Sequence, residues 1–346
     1  MLFMREYKLA VVGATGVIGN ITRKVLEEKK LPIKEYKFFS SIRSAGKKIK
    51  FLEKEYVIQE LKEDSFEEGF DYAIFVAGGE VSKKFIPIAN KNDCIVIDNS
   101  SAYRMAEGVP LVIPEVNSEE IKNHKGIIAN PNCSTIQAVV ALKPLEDKYK
   151  IKRIVYSTYQ AVSGAGINGI RDLENGIMKY NQNTEYELKK FKYPIFNNCL
   201  PQIDAFLENG YTKEEEKMIN ETRKILKRPD LNITATTVRV PVFNCHSESI
   251  NVEFEKEFDL EEIKNLLRNA PGIKIIDDIE KEEYPIASIA DNTDYVYIGR
   301  IRRDYSVKSG VNLWVVADNT RKGAASNAVQ ILEKCLNGDV SVWDTF

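Results

Sequence analysis

The first third of the chain alternates short apolar runs with longer polar stretches. The apolar runs have the length of strands, and most of the stretches between them have the length of helices. This alternation is typical of an α/β domain built on a doubly wound parallel sheet. The predicted strands cover residues 8–12, 35–39, 72–76, 95–97 and 127–128.

From residue 152 onwards the chain has longer runs in which apolar and polar residues alternate. A period of two predicts half-buried strands, here in a mixed or antiparallel sheet with helices on one face. We therefore expect two domains, over 1–133 and 134–322. The predicted strands of the second domain cover 153–160, 234–242, 249–254 and 311–318.

Two predicted helices lie at the ends of the second domain. Apolar residues recur at helical spacing over 134–148, and Ser134 or Thr135 is expected to cap this helix. Pro144 is expected to bend it. A second apolar stripe predicts an amphipathic helix within 323–346 that returns to the first domain.

Composition narrows the class of protein. Of 346 residues, 43% are apolar and 29% charged, and the formal net charge is −2. Basic residues alternate with acidic ones and form no stripe, so we expect no nucleic-acid partner. No apolar run is long enough for a membrane span. A small-molecule substrate and a cytoplasmic location are predicted.

The chain has five cysteines without C-x-x-C spacing and only two histidines. An odd number of thiols in this arrangement indicates neither a disulfide framework nor a zinc site. Few imidazoles are available as ligands, so we expect no metal. Of the histidines, His124 is predicted to lie at the surface because its neighbours are lysines and an asparagine.

A glycine-rich turn follows the first predicted strand. Gly13 permits a tight turn, Gly16 lets the backbone approach a pyrophosphate at a helix N-terminus, and Gly19 allows close helix-to-strand packing. The alternative is a tight turn without a ligand. The residues of this turn that we expect to bind a dinucleotide are Gly13, Thr15, Gly16, Val17, Ile18 and Gly19.

The end of the second predicted strand bears on the choice of cofactor. NAD sites usually have an acid here for the ribose 2′-hydroxyl, whereas this chain has Ser41, Arg43 and Ser44. Hydroxyls and a guanidinium suit a 2′-phosphate, so NADP is the predicted cofactor. A serine-rich surface turn is the alternative. Ala77 and Gly78, after the third strand, are a second predicted contact.

Cys133 lies where a predicted strand meets a predicted helix N-terminus. Such a terminus favours a thiolate and should lower the thiol pKa. Free amides there, with the side chain of Asn132, could hold an oxyanion. The alternative is a small buried hydrophobe.

Five segments together resemble the aspartate-semialdehyde dehydrogenase family, and the resemblance extends over nearly the whole chain. They are residues 13–19, 98–104, 130–135, 160–166 and 239–247. The resemblance implies a Rossmann-like dinucleotide-binding domain and an α+β, glyceraldehyde-3-phosphate-dehydrogenase-like catalytic and dimerisation domain. It also implies a homodimer, or a tetramer of such dimers.

The resemblance assigns roles to individual residues. Cys133 would be the acyl-forming nucleophile, His246 the acid and base, and Gln160 an orienting group. The implied substrate and phosphate contacts are Arg239 for a carboxylate, Glu214 for an ammonium, and Lys217 and Arg104 for phosphate. Ser163, Gly164 and Asn319 would bind the cofactor.

Spacing alone leaves simpler interpretations open. Glu214 and Lys217 would be a solvated salt bridge near a capping box formed by Thr212 and Glu215. His246 would be a structural histidine, Gln160 an ordinary strand-end amide and Arg239 a member of a surface ion pair. The choice of Glu214 over its two acidic neighbours rests only on its three-residue spacing from Lys217.

The implied reaction is NADPH-dependent reductive dephosphorylation of L-aspartyl 4-phosphate to L-aspartate 4-semialdehyde, in lysine, threonine and methionine biosynthesis. One rival is reduction of an acyl phosphate such as N-acetyl-γ-glutamyl phosphate, which has no free ammonium for Glu214. Another is a catalytically silent Rossmann dimer, although such a protein needs neither Cys133 nor His246.

Overall fold

A computed structural model describes residues 6–182 and 184–339. The chain forms two compact units, the described parts of Met1–Asn132 with Ala324–Phe346, and Cys133–Gly323. The boundary expected from the sequence lies one residue further along. Residues 340–346 of the predicted C-terminal helical region lie outside the described part.

The first unit contains a six-stranded parallel sheet. Each of the five predicted strands is present, and a two-residue edge strand and a short hairpin are added. The strands of this unit are β1 (Tyr7–Val12), β2 (Ile33–Ser40), β3 (Lys48–Phe51), β4 (Lys54–Val57), β5 (Gln59–Glu60), β6 (Tyr72–Phe75), β7 (Ile95–Asp98) and β8 (Ile127–Ala129). The order in the sheet is β5-β2-β1-β6-β7-β8, and β3 pairs with β4 in the hairpin.

Helices of the first unit pack on this sheet over two buried apolar clusters. Its helices are α1 (Val17–Lys29), α2 (Gly79–Lys91), α3 (Pro114–Asn117) and, from the C-terminal part of the chain, α9 (Ser326–Lys334). Helix α9 packs against α1 and β7. A side-chain hydrogen bond also holds α9 in place, in which Oδ1 of Asn130 accepts from Nδ2 of Asn327 at 2.7 Å. The α/β class with a parallel sheet is confirmed.

The second unit has a mixed six-stranded sheet. Its strands are β9 (Ile151–Gln160), β10 (Asn232–Arg239), β11 (His246–Phe254), β12 (Ile273–Ile275), β13 (Val296–Asp304) and β14 (Gly310–Ala317). Their order in the sheet is β10-β9-β11-β14-β13-β12. The strand predicted over 234–242 ends sooner, at Arg239, because Pro241 has no N–H for the ladder.

Helix α4 (Cys133–Tyr149) packs against β9, β11 and β14. It begins at Cys133, so Ser134 and Thr135 lie in its first turn and the predicted cap position is wrong. Pro144 lies inside α4, which continues unbroken to Tyr149. The other helices of this unit are α5 (Ile167–Gln182), α6 (Lys213–Leu226), α7 (Leu260–Arg268) and α8 (Ala287–Ala290). Within the described ranges, no helix combines the length and the apolar character that a membrane span needs.

Candidate active site

Cys133 is the first residue of α4 and is partly exposed. The first turn of this helix contains no acidic residue, so the positive end of its dipole is not neutralised locally. A Cβ added to Gly323 would lie 2.9 Å from Cβ of Cys133. No sequence pattern singled out Gly323, yet any side chain there would press on Cys133.

The other four thiols have different surroundings. Cys94, Cys245 and Cys335 are buried, and burial raises the pKa of each thiol. Cys199 is exposed. Cys133 therefore differs from all four in combining partial exposure with a helix N-terminus.

A buried chain of polar contacts starts beside Cys133. Nε2 of Gln160, at the end of β9, donates to Oγ of Ser134 and to Oε1 of Glu214, the latter over 3.2 Å. Gln160 is fully buried and Glu214 is 6% exposed. The interpretation of Glu214 as a solvated partner is therefore wrong.

Lys217 extends this chain with two carboxylates. Its Nζ lies 3.2 Å from Oε2 of Glu214 and 2.8 Å from Oδ2 of Asp204. Burial lowers the pKa of Lys217, but the two carboxylates outweigh it and the net pKa is raised. For Asp204, burial alone would raise the pKa. Hydrogen bonds from Lys217 and from the Ala205 amide outweigh burial, and the net pKa of Asp204 is lowered. Asp204 was not found by sequence analysis.

The three consecutive acids at the start of α6 have three different environments. Glu215 completes the predicted capping box with Thr212, and its second oxygen accepts from the amide of Thr237 at 2.9 Å. Glu216 accepts from Asn209 and Asn220. Of the three, Glu214 is the one whose carboxylate contacts Gln160 and Lys217.

The backbone of Ala161 contacts two predicted site residues. Its N–H donates to Nδ1 of His246 at 3.0 Å, and its carbonyl accepts from Nη1 of Arg239 at 2.6 Å. Arg239 is 6% exposed, which contradicts a surface ion pair. Arg239 lies close enough to Glu214 and Cys133 for their charges to interact.

His246 is 1% exposed. Burial, followed by the charge of Arg239, holds the pKa of His246 well below its usual value. The ring is therefore neutral at physiological pH. Because Nδ1 accepts the Ala161 amide, the ring proton lies on Nε2.

The loop after β9 covers these two side chains. A Cβ on Gly164 would lie 2.9 Å from Nη1 of Arg239 and 3.3 Å from the ring of His246. Asn319 accepts from the amide of Cys245 at 2.9 Å and donates to Oγ of Ser163 at 3.0 Å. Ser163 and Asn319, both predicted to contact the cofactor, thus meet beside the first residue of β11.

The glycine turn in the first unit has the predicted strand-turn-helix arrangement. Gly13 has a φ of +88°, and a Cβ there would lie 2.9 Å from the carbonyl carbon of Val76. A Cβ on Gly19 would come within 2.2 Å of the Gly13 oxygen. Gly16 is the N-cap of α1, and no side chain caps the free N–H groups of this helix at that position. Val17 and Ile18 follow in the first turn, where backbone N–H groups can bind an anion.

The loop after β2 is tied to this turn. Oγ1 of Thr15 lies 2.8 Å from Oγ of Ser40 and 3.3 Å from Oγ of Ser44. Ser41 and Arg43 are exposed in the same loop. Ala77 and Gly78 follow β6, and Gly78 is the N-cap of α2. The cofactor residues predicted in the first unit therefore lie at the carboxyl ends of β1, β2 and β6, where nucleotides bind in open α/β sheets.

Two more predicted site residues belong to the first unit. Arg104 is 7% exposed, and its guanidinium donates to the carbonyls of Asn130 at 2.9 Å and Asn99 at 3.0 Å. Asn132 is 7% exposed and immediately precedes Cys133. Arg104 is thereby fixed to the backbone of the segment that precedes Cys133 in the chain.

The surface position predicted for His124 is wrong. The residue is 4% exposed, and burial lowers its pKa to about 4. Its Nδ1 accepts from the amide of Gly126 at 3.0 Å. Lysines beside it in sequence suggested exposure, but the imidazole itself turns into the domain.

Comparison with protein families gives two matches. Residues 8–124 match the semialdehyde dehydrogenase NAD-binding domain, and residues 142–322 match the semialdehyde dehydrogenase dimerisation domain.

Individual relatives agree with these matches. The chain is 52% identical to aspartate-semialdehyde dehydrogenase of Aquifex aeolicus over 330 residues, 94% of this chain and 97% of that protein. It is 47% identical to aspartate-semialdehyde dehydrogenase of Bacillus subtilis over 337 residues, 95% and 97% of the two chains.

Solved structures give the same result. Aspartate semialdehyde dehydrogenase II of Vibrio cholerae, complexed with ASA, superposes with a TM-score of 0.94 at 44% identity, over 96% of this chain and 99% of the other. The Candida albicans enzyme with NADP superposes with a TM-score of 0.75 at 26% identity, again over 96% and 99%.

Proposed function

The chain belongs to the semialdehyde dehydrogenase family, and on that premise we propose that it is an NADP-dependent, phosphorylating aspartate-semialdehyde dehydrogenase. The observation that carries the proposal is the buried chain of contacts from Ser134 through Gln160 to Glu214, which begins at the residue after Cys133. With Arg239 it supplies one anion and one cation for the two charged groups of an amino acid.

In the first step the Cys133 thiolate attacks the acyl carbon of L-aspartyl 4-phosphate. The new carbon–sulfur bond gives a tetrahedral oxyanion, and breaking the bond to the phosphate oxygen leaves a thioester. The leaving phosphate takes up a proton from solvent, and its charge is met by Lys217 and Arg104. Covalent catalysis thus divides one substitution into two easier steps.

His246 acts on the oxyanion as a neutral hydrogen-bond donor. Its proton is on Nε2, because Nδ1 is engaged by the Ala161 amide. A neutral imidazole can stabilise a developing oxyanion without giving up its proton, as a donor of fixed orientation does in an oxyanion hole. This refines the acid and base role that family resemblance implied.

The residues of the glycine turn fit a dinucleotide. Side chains at Gly13 and Gly19 would collide with backbone, so the turn can exist only with glycines there. The first turn of α1 presents amides to the pyrophosphate, and Ser41, Arg43 and Ser44 would hold a 2′-phosphate. When bound, NADPH supplies the hydride that reduces the thioester carbonyl. Arg239 and Glu214 hold the substrate, and Cys133 leaves as the thiolate when the aldehyde forms.

We place this activity in the cytoplasm and in a homodimer. All five cysteines, which lie within the described residues, are thiols, as a reducing compartment requires. The match of residues 142–322 to a dimerisation domain supports pairing through the second unit. Light scattering at micromolar concentration is expected to give the mass of two chains, and the mass of one chain would contradict this.

The test of the proposed function is a substrate comparison. Purified protein should oxidise L-aspartate 4-semialdehyde in the presence of phosphate and NADP, and omission of phosphate should reduce the steady rate. N-acetyl-glutamate 5-semialdehyde should react about a hundredfold less efficiently, because its blocked amine cannot pair with Glu214, which then keeps only Lys217 as its cation. Preference for the acetylated aldehyde would favour the rival reductase instead.

A further inference from the structure

Glu248 lies two residues after His246 on the same face of β11, and it is fully buried. Strand β11 alternates buried and half-buried residues, so His246 and Glu248 both point into the core side of the sheet. Neither oxygen of Glu248 has a hydrogen-bond partner among the residues that the structure describes. A buried carboxyl group in this condition requires an explanation.

Other buried polar atoms near Glu248 also lack a hydrogen-bond partner among the described residues. Glu248 pairs in register with Thr158 on β9, and Gln160 follows two residues later on the same face. Gln137, on α4, donates through Nε2 to the carbonyl of His246 at 3.2 Å. Within the described ranges, Oε1 of Gln137, Oγ1 of Thr158 and Oε1 of Gln160 have no partner. We call Gln137, Thr158, Gln160 and Glu248 the buried polar layer.

The charges around Glu248 disfavour its ionised form. Glu214, from α6, adds a like charge. Tyr156 on β9 also lies near Glu248, and burial raises the pKa of its phenol, which therefore supplies no counter-ion. Burial, followed by the charge of Glu214, raises the pKa of Glu248 well above its usual value. On β14 the residue opposite Glu248 is Val315, which is apolar.

The nearby basic groups already have other contacts. On the same strand, His246 has a pKa well below its usual value and is neutral. Arg239 donates to the Ala161 carbonyl, and Lys217 contacts Glu214 and Asp204. A lone buried carboxylate is strongly disfavoured, whereas the acid form has a hydroxyl to donate.

We propose that Glu248 is a neutral carboxylic acid whose hydroxyl donates within the buried polar layer and so fixes the amide of Gln160. The Gln160 Nε2 is committed to Ser134 and Glu214, which leaves Oε1 as the acceptor on the other side of the amide. Diagonal neighbours on adjacent strands are within reach of long side chains. If the amide of Gln160 flipped, its oxygen would face the Glu214 carboxylate in place of the N–H donor. A hydroxyl that donates to Oε1 holds the amide in the unflipped orientation.

Glu248 is therefore a positioning residue that acts through Gln160. The inference about its protonation stands without any assumption about the reaction. The inference about catalysis rests on the proposed function, because Gln160 is the residue through which it would reach the substrate.

The protonation state is tested by comparing wild type with Glu248→Gln in chemical unfolding across about pH 5 to 8. A group with a raised pKa in the folded state takes up a proton on folding, and the stability it contributes is lost as pH rises from the unfolded pKa to the folded one. The folding constant of wild type relative to Glu248→Gln should therefore fall as pH rises, by up to about tenfold per pH unit while the group is ionised in the unfolded chain and protonated in the folded one. A ratio that is constant over the range would overturn the proposal.

The positioning role is tested by adding Glu248→Leu. Glutamine keeps a donor and an acceptor, so Glu248→Gln should retain kcat within about threefold, while Glu248→Leu stays folded and loses at least about tenfold in kcat. Glu253→Gln, on the opposite face of β11 and paired with Lys152 at 2.7 Å, is the matched control and should keep full activity. If Glu248→Leu were folded and as active as wild type, the positioning role would be refuted. An inactive wild type would instead count against the proposed function, since unfolding needs no substrate.

Discussion

The backbone N–H of Ala161 donates to Nδ1 of His246 over 3.0 Å, and this one contact fixes which nitrogen of the ring carries the proton. The neighbouring charge of Arg239 adds to burial in keeping the ring neutral. An imidazole in this state donates from Nε2 and has no free lone pair to accept a proton from a thiol. The ring therefore serves the oxyanion better than it serves as a base.

This assignment predicts the pH dependence of the reaction. Because the pKa of His246 lies well below 6.5, kcat/KM should show no inflection from this residue between about pH 6 and 9. His246→Gln, which can place an amide N–H near the position of Nε2, should retain more activity than His246→Ala. A wild-type inflection near the usual histidine pKa that disappears in His246→Gln would contradict the neutral-donor role.

The cofactor preference is tested at Arg43. The wild type should favour NADP over NAD, and Arg43→Ala should lose about 1.5–3 kcal/mol of that preference, because a charge-assisted contact to the 2′-phosphate is removed. Lys47→Ala, an exposed cation in the same segment, is the control and should change the ratio much less. The measurement is kcat/KM for both cofactors on all three proteins. Equal use of NAD and NADP by wild type would refute the prediction.

Glu214 and Glu215 provide a matched pair of substitutions. Glu214→Gln should raise KM for the semialdehyde and lower kcat/KM by about a hundredfold, because the substrate ammonium loses its anion. Glu215→Gln should instead lower the free energy of unfolding by about 1–2 kcal/mol, since its carboxylate caps α6 and holds the Thr237 amide. Steady-state kinetics and chemical unfolding on both variants separate the two roles. Interchanged outcomes would show that the wrong acid was assigned to the substrate.

Local patterns predicted both sheets, and the three-residue spacing of Glu214 and Lys217 predicted the contact between their side chains. Asp204 could not be predicted in this way. Its contact with Lys217 depends on a loop residue with a φ of +69°, thirteen positions away in sequence. Local pattern carries no information about which loop residue adopts that conformation and turns its carboxylate towards a helix.

The burial of individual polar side chains could not be predicted from the sequence either. His124 lies among polar neighbours and Glu248 alternates with serines, so both look like exposed positions. Their burial follows from how helices cover each domain, which is a property of the tertiary fold. The cap of α4 was misplaced for a related reason, because the boundary of a helix is set by hydrogen bonds that residue preferences do not determine.

His124 predicts how stability depends on pH. Its pKa is about 4 in the folded chain and about 6.5 when unfolded, so protons bind more readily to the unfolded state between these values. The stabilisation is complete above the unfolded pKa and is lost as pH falls towards the folded one. Unfolding free energy should drop by about 2 kcal/mol between pH 7 and pH 5 from this residue.

His124→Asn isolates that contribution in urea unfolding. The asparagine Oδ1 can accept the Gly126 amide in place of Nδ1 and does not titrate. The stability difference between wild type and variant should therefore shift in favour of the variant as pH falls. A difference that stays the same at pH 7 and pH 5 would contradict the buried neutral state.

Cys133 is the residue on which the mechanism depends. Cys133→Ala should abolish turnover and leave NADP affinity nearly unchanged, because the predicted cofactor contacts are made by other residues. Cys133→Ser should keep at most a trace of activity, since a hydroxyl is a weak nucleophile at neutral pH. Cys199→Ser, at the exposed thiol, is the control and should behave as wild type.

The most direct measurement combines a burst assay with mass spectrometry of the enzyme. With L-aspartate 4-semialdehyde and NADP but no phosphate, wild type should release a single equivalent of NADPH per active site, then slow sharply. The peptide that contains Cys133 should gain the mass of one aspartyl group, and added phosphate should remove it. Undiminished turnover without phosphate, or an acyl group on any residue other than Cys133, would contradict the account.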